Sequence, residues 1–132
     1  MMAVEFAWDN PERTIMRLKA VETWDWNLFH KTHRRMSMRY DEVTHMVELI
    51  IDFRKSERFP GGTIAHIRSL GTAFHANAPA RAVVLGVSVD MQRAIGARGS
   101  VYQDNQRKLV FGRDDRHALS IIEGWRLGKE AY

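Results

Sequence analysis

Pro60-Gly61-Gly62-Thr63, with Arg54, Lys55 and Arg58 just ahead of it, is the stretch of this sequence that comes nearest to a binding site. A strongly apolar run precedes it and a helical pattern follows, so the glycines fall where a strand hands over to a helix. Backbone N–H groups at a helix start favour an anion, and glycine allows close approach. Open α/β sheets also bind ligands at the carboxyl ends of their strands. The expectation is an anion- or partner-contacting loop; the plainer account is a turn that needs glycine torsions. The Gly-x-x-x-x-Gly-Lys-Ser/Thr spacing of a phosphate-binding loop is absent, as is a dinucleotide fingerprint.

The remaining chemistry-bearing residues are more scattered. Of the six histidines, His30 and His33 lie three apart on a helical pattern, and His66 and His75 flank the second helix without sharing a face. No His-Glu-x-x-His or comparable spacing occurs, so neither a metal site nor a cofactor is expected. Ser88, Asp90, His66 and Thr63 could meet at one sheet edge only by assembly, and helix capping explains Ser88 and Asp90 more simply. No residue is assigned a catalytic role, and the chain reads as a non-enzyme. Lys31, Arg34, Arg35 and Arg39 form a basic face on the first helix, suited to an acidic protein, a phosphate backbone or an anionic membrane surface. Trp26, Phe29 and Tyr40 fall on the opposite stripe, so that face lacks the aromatics on which single-stranded nucleic acid stacks. Nucleic acid is therefore a disfavoured partner.

The elements that must position these residues follow from composition and period. A length of 132 residues suits one domain, spanning 1–132, and 45% hydrophobic against 27% charged residues is the balance of a packed core. With no cysteine, disulfides, zinc ribbons, iron–sulfur clusters and thiol chemistry are excluded. A net charge of +4 is too small to indicate a partner. The N-terminal residues build no apolar signal core, and Leu49-Ile50-Ile51 is too short a run to span a bilayer. Cytoplasmic residence without membrane insertion is the expectation.

Val4, Phe6 and Trp8 alternate with Glu5 and Ala7, and Met16, Leu18 and Ala20 alternate with Arg17 and Lys19; the two runs predict a β-hairpin turning at Asp9-Asn10-Pro11-Glu12. Trp26, Phe29, His33, Met36, Tyr40 and Val43 predict a helix over roughly 24–43, capped by Thr23 or Asp25. Trp24 lies off its stripe, either exposed or stapling the helix start. Val47 to Phe53 predicts a strand buried on both faces, followed by a polar loop from Arg54 to Phe59. A second helix would turn Ile64, Ile67, Leu70 or Gly71, and Phe74 inward, stopping at Ala78-Pro79. Ala82 to Val87 predicts a strand, then a helix through Ile95 capped by Ser88 or Asp90 and weakened by Gly96 and Gly99. Leu109-Val110-Phe111 predicts a last strand. Asp114 or Asp115 would cap a closing helix with Ala118, Leu119, Ile122 and Trp125 inward. The order β-β-α-β-α-β-α-β-α implies a single mixed, mostly parallel sheet of four to five strands clad in helices.

That order resembles the STAS domains, the family of bacterial anti-sigma-factor antagonists and of the cytoplasmic tails of sulfate transporters, and more narrowly their stand-alone antagonist-like members. The resemblance is carried by the central strand Leu49-Ile50-Ile51-Asp52-Phe53, with an acid near its end and a loop of about seven residues leading into a helix. The ending Phe111-Gly112-Arg113-Asp114-Asp115-Arg116-His117-Ala118-Leu119 is similar too. In antagonists that switch partners this helix opens on an Asp-Ser-Ser-Gly type motif with a phosphorylated serine. Pro60-Gly61-Gly62-Thr63 puts glycine at that position and leaves only the Thr63 hydroxyl nearby, so phosphorylation control does not carry over. The resemblance implies a non-enzymatic regulatory module contacting a protein partner through the 54–63 loop and the following helix start. The alternative is a small anionic or lipid-like ligand at the same edge, and a hydrolase or transferase built from Ser88, Asp90, His66 or Thr63 is a third reading. Homo-oligomerisation stays open.

Overall fold

Alternation in the first twenty residues builds the expected hairpin: β1 (Val4–Trp8) pairs antiparallel with β2 (Ile15–Glu22). The Asn10 carboxamide oxygen closes its turn by accepting from the Thr14 and Ile15 amides at 3.0 and 3.2 Å. The computed structural model describes residues 3–72, 75–104 and 106–129. α1 (Trp26–Ser37) is capped by Asp25, whose carboxylate accepts from the Leu28 amide at 2.7 Å. The predicted helix over 24–43 is shorter than its periodicity. The Ser37 hydroxyl bonds back to the Arg34 carbonyl, and the chain tightens into a 3-10 turn over Met38–Glu42.

The rest of the chain runs β3 (Glu48–Ser56), α2 (Thr63–Arg68), β4 (Arg81–Leu85), α3 (Val89–Ile95), β5 (Val101–Gln103), β6 (Lys108–Gly112) and α4 (Asp115–Arg126). The strands form one sheet of six, in the order β1-β2-β3-β4-β6-β5. β2, β3, β4 and β6 are parallel, with an antiparallel strand at each edge. This corrects the expected four to five strands. The three residues of β5 are too few for a periodic signal, and they pair through register with β6.

Three further differences bear on the site. Arg54 and Lys55 belong to β3 and not to a loop. The second helix ends at Arg68, so Leu70 is buried beyond its end, and Phe74 lies outside the described residues. Leu119 is 46% exposed, whereas Ile121 is buried: the inward arc of α4 is Ala118, Ile121, Ile122 and Trp125.

Two apolar cores sandwich the sheet. On one face α1, α2 and α3 bury Trp26, Phe29, Met36, Ile67 and Ile95 with Leu18, Ile51, Phe53 and Val84. On the other, α4 packs Ile121, Ile122 and Trp125 with Ile50, Val83 and Val110. On that second face α4 reaches β2 only at Ile15, and further along the strand Arg17 and Lys19 alternate with Met16, Leu18 and Ala20. The β2–β3 register advances from Lys19↔Asp52 to Val21↔Lys55, two residues on β2 against three on β3. This bulge turns Lys55 to the open face with Val21 and sends Ser56 to the helix-covered one. The Trp24 indole donates to the Ser56 hydroxyl at 2.9 Å there. Trp24 is thus buried, stapling the start of α1.

Candidate functional site

The bulge in β3 places Arg54 and Lys55 in a groove of about 660 Å³ on the open sheet face. Arg54 is tied down within it. Its guanidinium donates to Asp52 at 2.9 and 3.0 Å and to Asp115, at the head of α4, at 2.9 Å. Arg17 donates to Asp9 at 2.8 Å and to Asp52 at 3.0 Å. The groove is lined by four cations (Arg17, Lys19, Arg54, Lys55) and four anions (Glu5, Asp9, Asp52, Asp115). Such a lining has no net potential with which to select an anion. Burial acts to raise the Asp52 carboxyl pKa, but hydrogen bonds and charge from Arg54, with Arg17, outweigh it and hold the group below its ordinary value.

Pro60, Gly61, Gly62 and Thr63 lie elsewhere, at the start of α2 on the opposite face of the sheet. Gly62 takes a left-handed backbone at φ +79°, which supports the expected glycine turn. The Thr63 side chain turns inward: its hydroxyl accepts from the Trp26 indole at 3.3 Å and donates to the Pro60 carbonyl. α2 has only six residues, so its dipole is small. The parallel strands also advance in a single direction from β2 to β6, with α1, α2 and α3 on one face. There is consequently no point of reversal in the strand order, and none of the crevice such a reversal opens.

What this arrangement produces instead is a furrow between α2 and α3, of about 520 Å³. Its walls are Phe59, Ile64, Ala65 and Met91, with Thr63 and Gly62 at one end and Arg68 at the other. Arg68 fixes the two helices relative to each other, donating to the Ile95 carbonyl at 2.8 Å and the Ala94 carbonyl at 3.3 Å. Phe59 also packs on the aromatic pile beneath, 5.1 Å from Phe53 and 6.3 Å from Trp24 between ring centroids. Arg58 is exposed in the loop leading to the furrow.

The aromatic pile reaches three histidines, His33 by its contact with Phe29 and His30 and His66 by theirs with Trp26. His66 of α2 stacks on Trp26 at 4.9 Å with the planes 9° apart, and its Nδ1 lies 2.8 Å from Nε2 of His30 on α1. The period of either helix alone does not show this pair; Trp26 and His30, four apart, mark only the α1 half of it. Among the described residues no group of three or more His, Asp or Glu side chains could hold a metal ion. Ser88 caps α3 by accepting from the Met91 amide at 3.1 Å, and Asp90 points outward, 3.8 Å from Arg93. The hydrogen bonds of Ser88, His66 and Thr63 thus run to separate partners, with no shared cluster. Lys31, Arg34, Arg35 and Arg39 are all exposed, with Arg39 bound to Glu42 at 2.9 Å.

His33, expected on the inward stripe of α1, has its imidazole pushed down to about 4 by burial, with His30 and Arg34 adding to the effect. Its folded pKa is depressed, so the unfolded chain takes up the proton first as pH falls through 6.5. Stability present above that value is lost progressively down to about pH 4. At about pH 5 the expected loss from this group is about 2 kcal/mol. Urea unfolding at about pH 7.5 and about pH 5 should show it, and a His33→Phe variant should lose most of the difference. An equal pH dependence in both proteins would refute the assignment.

Comparison with family models, with curated proteins and with solved structures finds no match to this chain. No helix among the described residues is long and apolar enough to cross a membrane.

Proposed function

We propose that this chain is a non-enzymatic interaction module of STAS-like type that docks a protein partner in the furrow between α2 and α3. The observation that carries this reading is the furrow itself, with apolar walls from Phe59, Ile64, Ala65 and Met91. A small ligand needs a site that encloses most of its surface. This furrow is open along its length, which suits an amphipathic helix laid between α2 and α3. Met91 can adapt its shape to such a helix. Arg68 at one end favours an acidic residue on the partner's polar face. The STAS resemblance puts partner contact at the same helix start. The basic face of α1 lies on the same side of the sheet and can extend the contact.

Photo-crosslinking residues placed at Ile64 and Met91, with a control at Glu123 on α4, test the proposal in extracts of the native host. The expected result is one common protein captured from both furrow positions and not from the control. Ile64→Asp, which puts a charge in the furrow, should reduce capture from Met91 at least about tenfold. Capture at equal yield from all three positions, or from none, would remove the proposal. A small anionic or lipid-like molecule retained in native mass spectra and lost with Ile64→Asp would favour the ligand reading instead.

A further inference from the structure

We infer that the His30–His66 contact is a proton-sensitive latch between α1 and α2, which seats α2 and its furrow at neutral pH and releases them in mild acid. The consequence for partner docking rests on the furrow reading above, whereas the latch itself stands on the free chain.

The geometry allows one bond and forbids one state. His30 Nε2 and His66 Nδ1 are 2.8 Å apart, so one imidazole must donate an N–H and the other must offer a lone pair. That holds with both rings neutral or with one of them charged. A second proton occupies the last lone pair and sets two cations in contact. Neither ring can easily turn away while keeping its packing. His66 lies flat on Trp26 at 4.9 Å, and His30 is 5.7 Å from the same indole.

The charges that act on His30 are all positive. The groups that act on His30 are His66 from α2 and Arg34 from its own helix, and His33 on α1 feels His30 in turn. No carboxylate is among them. Burial, then His66, then Arg34 hold the His30 imidazole below its ordinary value, which places the doubly charged state on the acid side of 6.5.

α2 is the element that must yield. It has six residues, buries only Thr63 and Ile67, and is joined to α1 through the hydrogen bonds of His66 with His30 and of Thr63 with Trp26. Both contacts use side chains stacked in the same aromatic pile, and the same helix supplies Ile64 and Ala65 to the furrow. Opening the latch therefore leaves α2 held to α3 through Arg68 and loosens one wall of the docking surface. Partner binding would be tight at neutral pH and weakened in mild acid.

Hydrogen exchange on the free chain tests the latch. The amides of His66 and Ser69, bonded to the Gly62 and His66 carbonyls, report on α2; amides of Val83 and Val84 in β4 report on the sheet. Between about pH 7.5 and about pH 5, the protection factors of the α2 amides should fall at least about tenfold more than those of β4, which follow the global stability that His33 also lowers. A His30→Gln variant keeps a donor for His66 Nδ1 and cannot become charged. In it the α2 protection should fall no more than that of β4, and His66→Gln serves the same purpose should His30→Gln fail to fold. An apolar dye should brighten in acid with the wild-type chain alone. The latch is refuted by α2 protection that is constant in the wild type, that falls in step with β4, or that falls equally in the Gln variants. Because these readouts need no partner, failure of the furrow crosslinks would strike the docking proposal and leave the latch standing.

Discussion

Replacing Gly86 by alanine should destabilise the fold by about 3–5 kcal/mol, combining a left-handed backbone penalty with a steric clash in a packed region. Gly86 follows β4 at φ +89°, a conformation an L side chain rarely adopts. A Cβ placed there would lie 2.6 Å from the Arg54 amide nitrogen and 2.7 Å from the Phe53 carbonyl carbon. Both are backbone atoms of the β3 bulge, so no side-chain rotation can relieve the clash. The bulge is held from the other side by Asp52, which accepts from the Arg54 amide at 3.0 Å. It therefore cannot retreat without breaking that bond. Thermal unfolding should show a melting temperature lower by roughly 10 °C or more. By contrast, Gly61→Ala should cost less than about 1 kcal/mol, since a Cβ there meets nothing within 4 Å. Equal effects at the two positions would mean that the bulge and the β4 end do not press together as described.

Asp52→Asn should cost about 3 kcal/mol, the lower end of the penalty for removing one partner from a buried charge network. The Asp52 side chain is 6% exposed and pairs with both Arg17 and Arg54. A neutral carboxamide in its place would leave the two guanidinium groups crowded together, paired with Asp9 and Asp115 at the rim. Because the Asp52 carboxyl is held below its ordinary 3.8, its share of stability is present above that value and is lost as pH falls through the folded pKa. The variant should accordingly show a flatter acid limb in urea midpoints measured below about pH 4. A double-mutant cycle with Arg54→Met should give a coupling of about 1–2 kcal/mol. The pair's partly exposed arginine sets that modest figure. A coupling near zero would reduce the network to a surface coincidence, and the groove to an open and fully solvated face.

Asp52 also illustrates how much of the site was legible beforehand. An acid near the end of an otherwise apolar strand is visible in Leu49-Ile50-Ile51-Asp52-Phe53, and so is the basic stretch after it. The pairing is not. Arg54 reaches Asp115, sixty-one positions along the chain, and it does so because α4 begins over the end of β3. Thr63 shows the same limit in the other direction. Its hydroxyl follows two glycines at a helix start and reads as accessible. Yet Trp26, thirty-seven positions earlier, lies across it.

Short-range chemistry settled a good deal on its own. Alternation at Val4 to Trp8 and Met16 to Ala20 specified the hairpin and its polar face. Asp25, Ser88 and Asp114 each cap the helix that follows, because a side-chain acceptor beside a free N–H needs only three residues of chain. The apolar run before Phe53 belongs at the centre of a parallel sheet whatever surrounds it. The direction of Lys55 was decided by a bulge, the burial of Trp24 by Ser56 turning to meet it, and the His30–His66 contact by two helices lying side by side. Register, crossover and helix placement are properties of pairs of segments, and the period of a single segment holds no record of its neighbour. The furrow exists for that reason alone: α2 and α3 come to the same face only once the sheet has formed.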